Sequence, residues 1–232
     1  MAGDTMVAVV TGGTKGIGRA IAEALLASGA AVVVGARTEA DVREAEAALG
    51  DRVRGVVCDV RDPEQCAALV GAAVEAFGGM DVLVNNAGVG RFRAVEELAV
   101  ADWDQVIETN LSGVFYCSRS AIPRLRERGG GWIINIGSLA GKNAFPNGAA
   151  YNASKFGLIG FSEALMQEVR HDGIRVSYIM PGSVSTPGFG SGEGDWKIQP
   201  EDIGKIVVDL LAMPDRTLPS RIEVRPSRPP RK

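Results

Sequence analysis

Between Met6 and Gly29 the sequence passes from a short apolar, β-branched run, Met6 to Val10, into Thr11-Gly-Gly-Thr-Lys-Gly-Ile-Gly18. It continues with Ile17, Ile21, Leu25 and Leu26 at helical spacing and stops at Gly29. No other stretch restricts the fold as much. A strand that turns through glycines directly into a helix aims backbone N–H groups and the positive helix end at one point, where a phosphate can bind. Gly12 permits the turn, Gly16 lets the backbone approach a ligand, and Gly18 allows close packing of the helix. Alone, the loop also fits an ordinary glycine-rich turn. The flanking strand and helix favour the phosphate reading.

The same alternation continues downstream. Strands are expected at 31–34, 53–57, 81–84, 132–136, 174–179 and 221–224. Helices are expected from about 40 to 49, from Asp62 as N-cap and Pro63 as first position to Phe77, from 102 to 128, from Ala149 onward and from Pro200 to Leu211. In the long fourth helix, Asn110 sits mid-way and Pro123 is expected to kink or end it. This order predicts an α/β fold, a single doubly wound (Rossmann) domain over residues 1–225. Its parallel sheet is flanked by helices on both faces and ligands bind at the carboxyl ends of the strands. No linker divides the 232 residues, and 226–232 reads as a disordered basic tail. Residues 187–199, glycine-rich with Phe189 and Trp196, fit a substrate lid or an exposed loop.

Several strand ends carry candidate ligands. The second strand ends in Gly35-Ala-Arg-Thr, where a dinucleotide site places an acid for the ribose of NAD or an arginine for the extra phosphate of NADP. Arg37 here and Lys15 in the glycine loop point to NADP(H), while Glu39 after Thr38 is a first-turn helix acid. Arg37 also fits a solvated loop residue. Asn86, Ala87 and Gly88, after the fourth strand, are small enough for a flat ring to lie against the backbone. The sixth ends at Pro181-Gly-Ser-Val-Ser-Thr186, on the same ligand-binding edge.

The chemistry concentrates between Ser138 and Lys155. A helix starting near Ala149 puts Tyr151 and Lys155 four apart on one face. A free phenol titrates near pH ~10, so it exchanges protons poorly at neutral pH unless a cation stabilises its anion. Lys155 supplies that cation, and Ser138, after the fifth strand, is positioned to hydrogen-bond the oxygen that receives the proton. Such pairs also occur on solvated helix faces, and the glycine loop's implied electron donor is what favours catalysis. Asn110 is either an ordinary polar residue or a mid-helix amide whose freed backbone carbonyl extends a proton path. A serine hydrolase fits poorly: Gly137 and Gly141 give Ser138 the wrong elbow spacing, and the single histidine, His171, falls at a helix end.

A net charge of −3 with no basic stripe before the tail argues against nucleic acid. Cys58, Cys66 and Cys117 show no C-x-x-C spacing, so neither a disulfide framework nor a metal site is expected. With no signal segment or membrane-length apolar run, a soluble cytoplasmic protein is expected. The helix after Tyr151 carries Phe156, Leu158, Ile159, Phe161 and Leu165 on more than one face, which predicts a second subunit against it.

Glycine loop, Asn-Asn-Ala-Gly, serine, Tyr-x-x-x-Lys and Pro-Gly follow one another in an order that resembles the short-chain dehydrogenases/reductases, over residues 6 to about 210. The resemblance implies that Tyr151 is the general acid/base, that Lys155 lowers its pKa and binds the nicotinamide ribose, that Ser138 orients the carbonyl and that Asn110 supports a water relay. It implies Gly12, Thr14, Lys15, Gly16, Ile17 and Gly18 around the pyrophosphate and Arg37 at the 2′-phosphate. Asp59 and Val60 would flank adenine, with Asn86, Ala87 and Gly88 at the ribose. Pro181, Gly182, Val184 and Thr186 would lie beside the nicotinamide. A homotetramer, or a dimer, is implied too. Where many acyl-carrier reductases of the family end in Asp-Gly-Gly, this chain ends Ile222-Glu-Val-Arg-Pro-Ser-Arg-Pro-Pro230. That ending resembles the branch of NADP-dependent 3-hydroxy-acid and general carbonyl reductases. The expectation is NADPH-dependent, reversible reduction of a ketone or aldehyde, of which a 3-oxoacyl or 3-hydroxy-acid compound is one form. A redox sensor that binds NADP(H) without turnover is opposed by the complete Ser-Tyr-Lys set. An NAD-linked alcohol dehydrogenase is opposed by Lys15 and Arg37.

Overall fold

The computed structural model describes residues 5–186 and 194–230. Seven strands form one parallel sheet: β1 (Val7–Thr11), β2 (Ala31–Ala36), β3 (Val53–Val57), β4 (Val82–Asn85), β5 (Gly131–Ile136), β6 (Ile174–Pro181) and β7 (Arg221–Val224). Their order is β3-β2-β1-β4-β5-β6-β7. β1, β2, β4, β5 and β6 are valine- and isoleucine-rich and buried almost throughout, as strands covered by helices on both faces must be. β7, at one edge, alternates exposed and half-buried residues.

The helices are α1 (Gly16–Ala27), α2 (Glu39–Leu49), α3 (Pro63–Phe77), α4 (Val100–Ile107), α5 (Gly113–Glu127), α6 (Ala149–Val169) and α7 (Pro200–Leu211). Two apolar clusters sandwich the sheet. On one face Ile21 and Leu25 of α1, Ala45 of α2 and Ile203, Val207 and Leu210 of α7 pack on Val10, Val32 and Ile134. On the other, Leu69 and Ala73 of α3, Cys117 and Leu125 of α5 and Leu165 and Val169 of α6 pack on Val9, Val33 and Ile133. Asp62 caps α3 as expected, its carboxylate accepting from the N–H groups of Glu64 and Gln65 ahead of Pro63 at the first position.

The region expected as one helix over 102–128 departs from that reading. Pro123 does not end it: α5 runs through Pro123 to Glu127, held by the buried Cys117, Ala121 and Leu125. The irregularity falls earlier, in a π-helical turn, Glu108–Ser112, that separates α4 from α5 and contains Asn110.

The chain reverses direction across the sheet between β1 and β4, and the crevice at their carboxyl ends is where a doubly wound sheet binds ligands. Thr11 closes its floor. Its hydroxyl oxygen accepts from the N–H groups of Asn86 (2.9 Å) and Ala87 (3.0 Å), while the Asn86 amide donates to the carbonyls of Thr11 and Gly12.

Candidate active site

The crevice opens into a cleft of about 1430 Å³. Single drug-sized ligands occupy roughly 300–1,000 Å³, so this one has room for two ligands side by side. Its first wall is the glycine loop. Gly12 and Gly16 take positive φ angles of 63° and 53°. A Cβ on Gly18 would stand 2.1 Å from the Gly12 carbonyl oxygen, so only glycine lets α1 sit this close to the turn. Lys15, the N-cap of α1, makes no side-chain cap and the first turn has no acidic residue. The first N–H groups of α1 therefore remain open to an anion at the positive end of the helix. These features fit the pyrophosphate of a dinucleotide.

Of the residues expected at the cofactor, Gly12, Lys15, Gly16, Ile17, Asn86, Ala87, Gly88, Pro181, Gly182, Val184 and Thr186 line the cleft together with Tyr151 and Lys155. Thr14, Gly18, Arg37, Asp59, Val60 and Asn110 stand outside its lining. Gly18 is buried beneath the loop, and Arg37 is exposed just beyond the carboxyl end of β2. Lys15 forms an ion pair with Asp41 at 2.9 Å, a partner that sequence reasoning missed. Asp59 pairs with Arg61 at 2.6 Å. That hydrogen bond holds its carboxyl below the usual range, with Arg37 adding a smaller electrostatic pull. Val60 is buried against Gly113, where a Cβ would come within 2.8 Å of its Cγ2.

Opposite the glycine loop, α6 brings Tyr151 and Lys155 to the cleft from one helix face, and both are buried. Ser138 follows β5, and its hydroxyl hydrogen-bonds the Tyr151 phenol. Burial raises the phenol's pKa, and the Ser138 contact only partly offsets this. Lys155 follows one turn later on the same helix face. Its ammonium donates to the Ile136 carbonyl at 3.0 Å and lies 5.7 Å from the phenol ring centroid. Complete burial pulls Lys155 itself from 10.5 to about 8.

Asn110 is held by its side chain. Its amide accepts from the Val89 N–H (2.8 Å) and donates to the Val89 carbonyl (2.9 Å) and to Ser154 Oγ (3.1 Å). Ser154 in turn donates to the Tyr151 carbonyl. One side chain thus ties the loop after β4 to the helix that carries the tyrosine.

Sequence reasoning passed over three supports. Asn152 donates to the Ala140 carbonyl at 2.7 Å and accepts from the Phe145 N–H, pinning the loop after Ser138 onto α6. Asn85 and Asn135 face each other in register on β4 and β5. Their amides link at 2.8 Å and reach Ser118 on α5 and Ser162 on α6. Two asparagines inside otherwise apolar strands were the available signal, because a buried amide needs partners. Phe92 packs edge-on to Tyr151 with centroids 5.7 Å apart and lies 5.8 Å from Phe145, giving the cleft an aromatic wall.

The two ends of the lid and tail expectations are also placed. Residues 187–193, with Phe189, lie outside the described residues, whereas Trp196 and Lys197 line the cleft. Pro226, Pro229 and Pro230, read from sequence as part of a tail, line it as well.

Residues 6–194 match the family model described as short chain dehydrogenase. The chain is a short-chain dehydrogenase/reductase. Relatives of this dehydrogenase/reductase include a putative ketoacyl reductase of the monensin polyketide synthase from Streptomyces virginiae, 47% identical, with 78% of this chain and 71% of the relative covered. A metagenomic short-chain oxidoreductase solved with NADP superposes with a TM-score of 0.85 at 38% identity, covering 97% of this chain and 98% of the other. The 3-ketoacyl-(acyl-carrier-protein) reductase from Brucella melitensis, solved with NADH, gives 0.89 at 27% identity, with 96% and 97% covered. The family accounts for the seven-stranded sheet and for a nicotinamide cofactor; of these two structures one holds NADP and the other NADH. Among the described residues, no group of three or more His, Cys, Asp or Glu could hold a metal ion and no helix is long and apolar enough to cross a membrane.

Proposed function

We propose that this short-chain dehydrogenase/reductase is an NADPH-dependent carbonyl reductase working through Ser138, Tyr151 and Lys155. The observation that carries the reading is that all three functional groups line one cleft, with Tyr151 and Lys155 buried and an uncapped, acid-free helix N-terminus on the same cleft. When bound, NADPH supplies a hydride to the carbonyl carbon. The glycine loop holds the pyrophosphate through backbone N–H groups. Ser138 hydrogen-bonds the substrate oxygen, and Tyr151 gives that oxygen a proton. Burial suits Tyr151 to this step, because the raised pKa keeps the phenol protonated until negative charge develops beside it. Lys155, still mostly an ammonium at neutral pH, stabilises the phenolate left behind and donates to the nicotinamide ribose. Asn110 positions Tyr151 through Ser154. In reverse, the same groups oxidise a secondary alcohol.

Preference for NADP(H) rests on Arg37. Asp41 already neutralises Lys15, whereas Arg37 is exposed where the 2′-phosphate would lie, with Asp59 and Val60 near the adenine. Ketones and aldehydes are the substrate class. The ketoacyl reductase relatives make 3-oxo acids and 3-oxoacyl thioesters the first to try. A second copy of the chain covers the exposed Phe115 and Phe156 of α5 and α6, giving a dimer or tetramer. Three buried free thiols suit a reducing cytoplasm. The test is oxidation of NADPH and NADH against a panel of carbonyls by the wild type and Arg37→Ala. The wild type should favour NADPH, and Arg37→Ala should lose most of that preference. Equal losses with both coenzymes would refute the role of Arg37, and silence across the panel would refute the reductase.

A further inference from the structure

β7 and the residues after it close the cleft on the side of Ser138. The Gly182 N–H donates to the Val224 carbonyl at 2.8 Å. Pro226 Cδ stands 3.2 Å from where a Gly182 Cβ would be, as does Leu139 Cδ1. Lys142, four residues after Ser138, forms an ion pair with Glu223 at 2.9 Å. β7 and Pro226 are therefore fastened to the loop after Ser138 and to the end of β6, and Arg225, Pro229 and Pro230 line the same cleft.

The charge of this corner is unbalanced. Glu223 is the one carboxylate shared by three cations, with Lys142 at 2.9 Å, Arg221 at 3.3 Å and Arg225 at 2.8 Å. Lys142 and Arg225 hold Glu223 down to about 2, so it stays ionised and the group carries a net positive charge. Of the three cations only Arg225 lines the cleft. A guanidinium is a planar fork of five N–H donors, so the bond to Glu223 leaves donors able to take a second carboxylate in a bidentate pair. The same cleft is lined by the apolar Leu139, Ala144, Phe145 and Pro226, with Asn143 and Lys197 also in its lining.

We propose that Arg225 is a specificity-determining residue. It selects carbonyl substrates that carry a carboxylate beyond an apolar spacer, and the C-terminal segment is the wall that presents it. This rests on the reductase reading above. Arg225 is itself exposed, with 54% of its side chain open to solvent, so what it offers such a substrate is its position. Here the cation, the apolar wall and the proton donor share one cleft, and the surplus positive charge favours an anion over a neutral group.

The experiment is steady-state kcat/KM with NADPH for oxo acids of increasing chain length and for their methyl esters. The wild type should favour the acid over the ester at one chain length. Arg225→Gln should lower that acid-to-ester ratio by about tenfold, the scale of one charge-assisted pair. Arg221→Gln, which removes another cation from Glu223 without altering the lining, should preserve the ratio. Ester turnover with no acid preference in the wild type, or a ratio unchanged in Arg225→Gln, would overturn the assignment while leaving the reductase standing. Failure to reduce any acid or ester would overturn the reading on which the assignment rests.

Discussion

Replacing Lys155 with methionine should abolish turnover without harming the fold, and the structure gives the size of the effect. The ammonium is buried, and burial lowers its pKa from 10.5 to about 8. At about 1.4 kcal/mol per pKa unit, holding the charge in this site costs about 3 kcal/mol relative to the neutral amine. Against that, Lys155→Met removes the hydrogen bond to the Ile136 carbonyl and leaves an acceptor unsatisfied, at about 1–3 kcal/mol. Methionine fills similar space with an apolar chain. The expected net change at pH 7 runs from about zero to 2 kcal/mol of stabilisation, up to roughly 8 °C in Tm for a chain of this length. The pH dependence is more specific. Between the folded value near 8 and the unfolded value near 10.5, the unfolded chain binds the extra proton, so this lysine makes the wild type gain stability as pH rises through that window. The methionine variant lacks this gain, and its advantage should shrink toward pH 10. Thermal melts of both proteins from pH 6 to 10, with NADPH oxidation measured in parallel, read the whole prediction. A variant more than about 2 kcal/mol less stable at pH 7, with a pH-independent difference, would refute the reasoning that burial dominates this site.

Two further outcomes follow from particular contacts. Gly18→Ala forces a Cβ toward the Gly12 carbonyl oxygen, so it should destabilise the protein by about 2–3 kcal/mol in chemical denaturation and raise the Kd for NADPH at least tenfold. Phe156→Glu puts a charge on an exposed aromatic that a second copy is proposed to cover. Sedimentation velocity should then show a smaller species than the wild type, with the far-ultraviolet circular dichroism unchanged.

Most of the sheet was legible because its signals are local. Valine-rich runs such as Ala31–Ala36 read as buried strands, and Asp62-Pro63 marked the start of α3 with no tertiary information. The shared helix face of Tyr151 and Lys155 was legible for the same reason, since helical spacing alone puts them there. What was missed depends on contacts distant in sequence. Lys155 is 19 residues from the carbonyl that holds it, and burial, which no spacing reports, decides its charge and that of Tyr151. Asn110 in the π-helical turn bonds Val89 and Ser154, 21 and 44 residues away, contacts that a period-3.6 pattern passes over. The C-terminal segment illustrates the limit of composition. Proline and arginine there suggest disorder, yet contact with Gly182 and the Lys142–Glu223 ion pair lay it along the cleft.

The most direct test of the central claim is single-turnover oxidation of NADPH by Tyr151→Phe, with NADPH binding measured on the same protein by fluorescence. Binding should stay close to that of the wild type and the rate should fall by at least about 100-fold, because the cleft keeps its shape and loses its proton donor. Wild-type rates in that variant would contradict the claim.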